Sequence, residues 1–151
     1  MSYQALEESS SHVYELYKIT REGNSWYYTS SDEDITYDGN DYVSIPIKRT
    51  NISQQPELKK TSLTLTVPMD IAFIREFIRT PPTSITTVTI FRGHFGDAEV
   101  LTVWLGKLSN VEFNIDKASL SVESIISSLK RPTLRMKYNR NCPYDLYGRG
   151  C

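Results

Sequence analysis

From residue 62 to 67 the chain reads Ser-Leu-Thr-Leu-Thr-Val, with apolar and hydroxyl side chains in strict alternation. Successive side chains of a β-strand point to opposite faces, so this pattern buries Leu63, Leu65 and Val67 and turns the threonines away from them. It constrains the fold because runs of β-branched and aromatic residues recur along the chain, at 12–21, 25–30, 35–37, 42–45, 85–91, 100–108, 111–115 and 120–126. Gly23-Asn24 separates the first two runs, and Asn114-Ile115-Asp116-Lys117 marks a reversal between the last two. Asp38-Gly39-Asn40, between Ile35-Thr36-Tyr37 and Tyr42-Val43-Ser44-Ile45, favours a tight hairpin.

One segment breaks this rhythm. Asp70 follows Pro68 as a candidate N-cap, and Ile71, Ile74, Phe77 and Ile78 form an apolar stripe at helical spacing with Phe73 beside it. Pro81-Pro82 forbids continuation, so the spacing predicts a helix over about 70–79. Many short strands with one flanking helix predict a mainly β fold, an antiparallel sandwich or small barrel. A length of 151 residues suits one domain. The expected organisation is an N-terminal arm (1–11), a β domain (12–129) and an irregular, basic C-terminal extension (130–151), where apolar periodicity is lost.

A net charge of −1 gives no reason to expect nucleic acid or membrane binding, but its distribution is uneven. Residues 1–41 carry nine acidic side chains against Lys18 and Arg21, while 130–151 carry six basic ones against Asp145. Such asymmetry matches complementary faces on one molecule or its neighbours. No apolar run approaches the ~20 residues of a membrane span, and the N-terminal stretch shows no signal-peptide pattern. Synthesis in the cytosol then disfavours a stable disulfide.

Enzyme templates find no match: the chain lacks a P-loop, a dinucleotide glycine fingerprint and a nucleophile elbow. His12 and His94 sit in unrelated segments, and His94 reads as a turn residue between Gly93 and Gly96. Asp32, Glu33, Asp34, Asp38 and Asp41 lack the ligand spacing of a calcium loop and read as solvated hairpin residues. Ten tyrosines suit strands and interfaces, and next to basic residues they also suit single-stranded nucleic acid.

Cys142 and Cys151 are the sharpest chemical feature. Eight residues separate them, and Gly148 and Gly150 allow the backbone to fold back so that both sulfurs face one centre. Thiolates suit zinc or iron–sulfur ligation, and Arg140 and Arg149 favour the thiolate form. Two ligands do not complete a tetrahedral site, so two unrelated thiols or a late disulfide stay open beside the ligand pair.

Several stretches, taken in order, resemble a known family. They are Tyr28-Thr29-Ser30-Ser31-Asp32, then Ile35-Thr36-Tyr37-Asp38-Gly39-Asn40-Asp41-Tyr42, then Pro46-Ile47-Lys48-Arg49. Leu63-Thr64-Leu65-Thr66-Val67-Pro68-Met69-Asp70 and Val103-Trp104-Leu105-Gly106-Lys107-Leu108 follow, and the series closes on the segment from Cys142 to Cys151. From about Val13 onward the chain is similar to the N-terminal domain of siphophage tail-tip hub proteins, including the lambda minor tail protein L and the hub of gene transfer agents.

That resemblance implies a tail-tube-like β-barrel with a flanking helix, assembled as a homo-oligomeric ring, most often a trimer. It implies a non-enzymatic virion protein at the phage tail tip, assembled in the host cytoplasm. Its partners would be a distal tail protein and a central tip or fibre protein, with no membrane and no sequence-specific nucleic acid. It further implies that Cys142 and Cys151 match the first two positions of a four-cysteine [4Fe-4S] site, incomplete within this chain. Arg135, Lys137 and Arg140 are the expected charged interface residues. The alternative is a small β-barrel that binds nucleic acid or peptide through its tyrosines and basic tail.

Overall fold

The computed structural model describes residues 13–52, 62–80, 83–95 and 99–125. The fold is mainly β, with one short helix among the described residues. The first two strands, β1 (Val13–Arg21) and β2 (Asn24–Thr29), pair antiparallel and turn on Glu22 and Gly23. Both turn residues have positive φ, 50° and 88°, as a two-residue hairpin matched to strand twist requires. The break expected at Gly23-Asn24 thus falls one residue earlier. Asp38 and Gly39, at φ 52° and 72°, make the same kind of turn between β3 (Ile35–Tyr37) and β4 (Asn40–Ser44).

There follow β5 (Lys48–Arg49), β6 (Ser62–Pro68), helix α1 (Ala72–Arg79), β7 (Thr87–His94), β8 (Val100–Phe113) and β9 (Lys117–Ser124). All nine strands belong to one sheet, in the order β3-β4-β2-β1-β7-β8-β9-β6-β5. Neighbours are antiparallel except β2 and β4, which run parallel through Tyr28↔Val43 and Thr29↔Ser44.

Among the described residues the expected barrel does not close by hydrogen bonds: the sheet is open, with β3 and β5 at its two ends. It is nevertheless strongly curled. From β1 to β5 there are five ladder steps, which in a flat sheet would span roughly 24 Å. Yet Arg49 Nε of β5 lies 2.7 Å from Glu15 Oε2 of β1. A side-chain ion pair, rather than a ninth strand pairing, draws the far edge round. The reason lies in β5 itself, whose two residues are too few for a second ladder.

The concave side holds the main core, built from Tyr17, Ile19, Tyr28, Leu63, Leu65, Val67, Val88, Ile90, Ala118, Leu120 and Val122, with Phe73 and Ile74 of the helix. The predicted alternation in β6 holds, with Leu63, Leu65 and Val67 all buried. Each fully buried side chain of this size contributes about 1.5–3 kcal/mol. A smaller cluster lies on the opposite face of β1, where Tyr14 and Leu16 are covered by Tyr42, Tyr27, Ile35, Tyr37 and Phe91. The β3–β4 hairpin therefore folds over the outside of β1 and β7.

The helix differs from expectation in its start and its buried face. Ile71, not Asp70, is the N-cap residue, and no side chain caps it. The Asp70 carboxylate is taken by Arg75 instead. The phenol of Tyr28, reaching from β2, accepts the Phe73 amide at 3.2 Å and satisfies one of the free first-turn donors. Phe73 and Ile74 are fully buried, whereas Ile78 is exposed.

The two runs at 100–108 and 111–115 merge into the single strand β8. Ser109 is a bulge between Leu108 and Asn110, and its hydroxyl donates to the Ser121 carbonyl at 3.0 Å. An extra residue in one strand offsets the register without ending the ladder, which is why the periodicity broke there.

Candidate assembly surface

Glu15 is the polar centre of the curled sheet. It accepts from Arg49 Nε at 2.7 Å, from Arg49 Nη2, and from the Tyr17 hydroxyl at 2.7 Å. Burial alone would raise its pKa, but the hydrogen bonds from Arg49 and Tyr17 and the charges of Arg49 and Arg92 outweigh it and hold the carboxyl below its ordinary value. Burial, and then the neighbouring Glu15 charge, raise the Tyr17 phenol. Hydrogen bonding to Glu15 raises Arg49 in turn. All three groups stay in their resting protonation states, and the cluster fastens strands together.

A second tie joins β1 to the helix. Arg21, 6% exposed, donates to Glu76 Oε1 at 2.9 Å and stacks its guanidinium 5.8 Å from the Trp26 ring. The Tyr27 ring, on the outer face, carries Lys18 Nζ 5.7 Å from its centroid.

Two acidic residues of the β3–β4 region serve local bonds. Asp34 accepts the Ser44 amide at 2.7 Å and Asp41 the Thr36 hydroxyl at 2.7 Å. Among the described residues no three His, Cys, Asp or Glu side chains gather around a point, and no helix is long and apolar enough to cross a membrane.

His94 departs from its expected place in a turn. It is the last residue of β7, opposite Val13, and is fully buried. At its neighbour Gly93 an added Cβ would meet the Tyr14 hydroxyl at 2.6 Å, so the strand passes directly against that ring. Gly106 is likewise closed, because its Cβ would meet the Glu123 carbonyl oxygen at 2.5 Å. Cys142, Cys151, Arg135, Lys137, Arg140 and His12 lie outside the described residues, as does the whole expected extension 130–151.

Exposed apolar side chains gather toward the two ends of the strands. At one end stand Val13, Phe95 and Leu101. At the other, beside α1 and the β8–β9 turn, stand Ile78, Ile85, Phe113 and Ile115, the last 95% exposed. Phe77 joins the latter group, its ring 6.4 Å from that of Phe113. Next to it opens a cleft of about 230 Å³ between Phe77, Leu108 and Val111 on the apolar side and Ser84, Thr86 and Asn110 on the polar side. The buried hydroxyls of Ser84 and Thr86 beside it have no hydrogen-bond partner among the described residues. Leaving such a group unbonded costs about 1–3 kcal/mol.

Sequence reasoning missed this surface because its members come from α1, 83–86 and β8 and share no motif. The lone isoleucine in a turn of polar residues, Ile115, was the one available signal. Turn chemistry gives no reason for an apolar side chain there.

Comparison with known proteins places this geometry. Residues 2–151 match the family described as baseplate hub protein, N-terminal attachment domain. No curated protein matches in sequence. Among solved structures, a chain of the virion of a native gene transfer agent particle superposes with a TM-score of 0.74 at 16% identity. The match covers 99% of this chain and 53% of that one, so this chain spans about half its length. The tail-tip hub resemblance seen in the sequence holds, and the chain belongs to the family of baseplate hub N-terminal attachment domains.

Proposed function

We propose that this domain forms part of the hub ring joining the tail tube or distal tail ring to the central tip or fibre protein. It acts as a homo-oligomer, a trimer in the simplest arrangement, and carries out no catalysis. The observation that carries the reading is a curled β domain with open sheet ends and an apolar α1 end, in a chain of the hub attachment family. Surfaces left unspent by the fold suit a protein whose neighbours complete it, since open edges and apolar patches otherwise promote aggregation. Closed symmetry supplies such neighbours.

Within this reading the basic residues Arg135, Lys137 and Arg140 register adjacent subunits or rings, and Cys142 and Cys151 begin an iron–sulfur site completed by further cysteines. The nucleic-acid alternative finds no help in four of the six described tyrosines, while Tyr27 and Tyr37 are half-buried against the outer cluster. Tyr17 bonds Glu15, Tyr28 receives the helix amide, and Tyr14 and Tyr42 are core residues.

The test is to purify particles from a strain in which the full-length protein is tagged or deleted. Tails with a discrete ring at the tip containing the protein are expected, and deletion should leave tipless tails. Normal, infective particles without the protein would overturn the reading. For the cysteines, anaerobically purified full-length protein should show iron–sulfur absorbance that disappears in Cys142→Ser. Colourless, metal-free protein would remove the cluster and leave the hub role untouched.

A further inference from the structure

On the outer face of β6, between β5 and β9, lies a groove of about 250 Å³ with Pro46, Thr66 and Pro68 along its floor. The strand pattern places it there. Leu63, Leu65 and Val67 point into the core, so Thr66 and Pro68 point out. Lys48 stands opposite Thr66, and Lys117 stands opposite Pro68. Directly opposite residues share a face of the sheet, so one lysine flanks each side of the groove. Strand spacing and rise put their backbones roughly 12 Å apart, within reach of two lysine side chains that converge on one occupant. Both are exposed, and neither has an ion-pair partner among the described residues. Two lysines against Asp116 on the rim leave the groove one net positive charge.

The same chain carries the matching charge. Residues 22–47 hold six acidic side chains and no lysine, arginine or histidine. Asp32, Glu33 and Asp38 are exposed, and none of them is in an ion pair among the described residues. They flank β3, and β3 and β5 are the two ends of the strand order. The acidic patch and the groove are therefore different surfaces of one molecule, which is what a head-to-tail contact between copies requires.

The rest of the chain joins the fold away from this groove. Residues 1–12, 53–61 and 126–151 connect at Val13, at Ile52 and Ser62, and at Ile125. Ser62 and Ser124 are the ends of β6 and β9 remote from Pro68 and Lys117. Val13 lies at the Val100 end of β8, whereas Lys117 follows the Phe113 end. The acidic occupant that the described fold itself supplies is the β3 region of another copy.

We propose that the groove between Lys48 and Lys117 receives Asp32 and Glu33 of a second copy, joining copies head to tail. The inference rests on the hub reading, in which the domain is a homo-oligomer, and names the surfaces that the copies share. Complementary charge of this kind sets partner and register more than it adds affinity. A head-to-tail contact makes a ring when its rotation closes.

The experiment uses the full-length protein, in solution and in assembled particles. Isotope-labelled and unlabelled protein are mixed and treated with a carbodiimide, which joins a carboxylate to an ammonium group. Mixed-label peptides linking Lys48 or Lys117 to Asp32 or Glu33 are expected. Lys48→Glu with Lys117→Glu should weaken the oligomer at least about tenfold by sedimentation, and so should Asp32→Lys with Glu33→Lys. All four side chains are exposed, so both variants should melt with the parent. The variant carrying all four substitutions reverses both surfaces and should restore the oligomer.

An oligomer unaffected by either pair of substitutions would overturn the proposal. A fourfold variant no better than the pairs would do so too, and would point to a different tail protein in the groove. Cross-links confined to one label would assign the contact to a single chain instead. A protein that is monomeric both in solution and in particles would remove the homo-oligomer from the hub reading, and this contact with it.

Discussion

The pair that fastens β5 to β1 invites a direct measurement, because it does the closing that a barrel would achieve by hydrogen bonds. Replacing Arg49 with Met removes both contacts to Glu15 and leaves a carboxylate whose side chain is only 14% exposed. Breaking a fully buried ion pair costs about 3–5 kcal/mol. Here the partners are 14% and 19% exposed and the Tyr17 hydroxyl still donates to Glu15, so the expected loss is about 2–3 kcal/mol after allowing for that screening. Replacing both residues, Glu15→Leu with Arg49→Met, should recover at least 1 kcal/mol of this loss, roughly the coupling expected between residues in contact.

The assay is equilibrium urea unfolding of the two single variants and the double, near neutral pH and again in acid. The pH dependence has a fixed sign. The carboxyl of Glu15 is held below its ordinary value in the fold. Its contribution is therefore present above the unfolded carboxyl pKa and lost as pH falls through the lower folded one. The penalty of Arg49→Met should shrink over that acid window. A single-variant cost under about 0.5 kcal/mol, or a cycle without coupling, would refute the claim that this pair closes the curl.

Three further outcomes are expected. Tyr28→Phe removes the acceptor of the Phe73 amide and should cost about 1–3 kcal/mol in urea unfolding, with loss of helix signal preceding loss of strand signal. Gly106→Ala drives a methyl against the Glu123 carbonyl and Val122, so thermal unfolding should show a loss of about 1–3 kcal/mol, while Gly23→Ala, with open space around it, should show only the backbone strain of its positive φ. Phe73→Ala should be the most costly of the set, at about 3–5 kcal/mol, because it empties the place where the helix plugs the core.

Much of the local structure could be read from residue types alone. Asp38-Gly39 makes the two-residue turn its composition demands, and the 62–67 alternation buries the faces it should. These features depend on φ/ψ preferences and on side-chain period, which act between near neighbours in the chain. Membership of the hub family was also legible, through a resemblance carried by short motifs in order along the chain.

What tertiary structure decided was everything that joins distant residues. Asp70 had the chemistry of a cap, but Arg75 claimed its carboxylate and a tyrosine 45 positions away from Phe73 took the amide. The bulge at Ser109 disguised one strand as two. Whether nine strands close or stay open rested on the length of β5 and on the meeting of Glu15 and Arg49, 34 residues apart. A local pattern determines how each strand presents its faces. Only the packed sheet determines which edges remain free, because an edge is free by virtue of where its neighbours end.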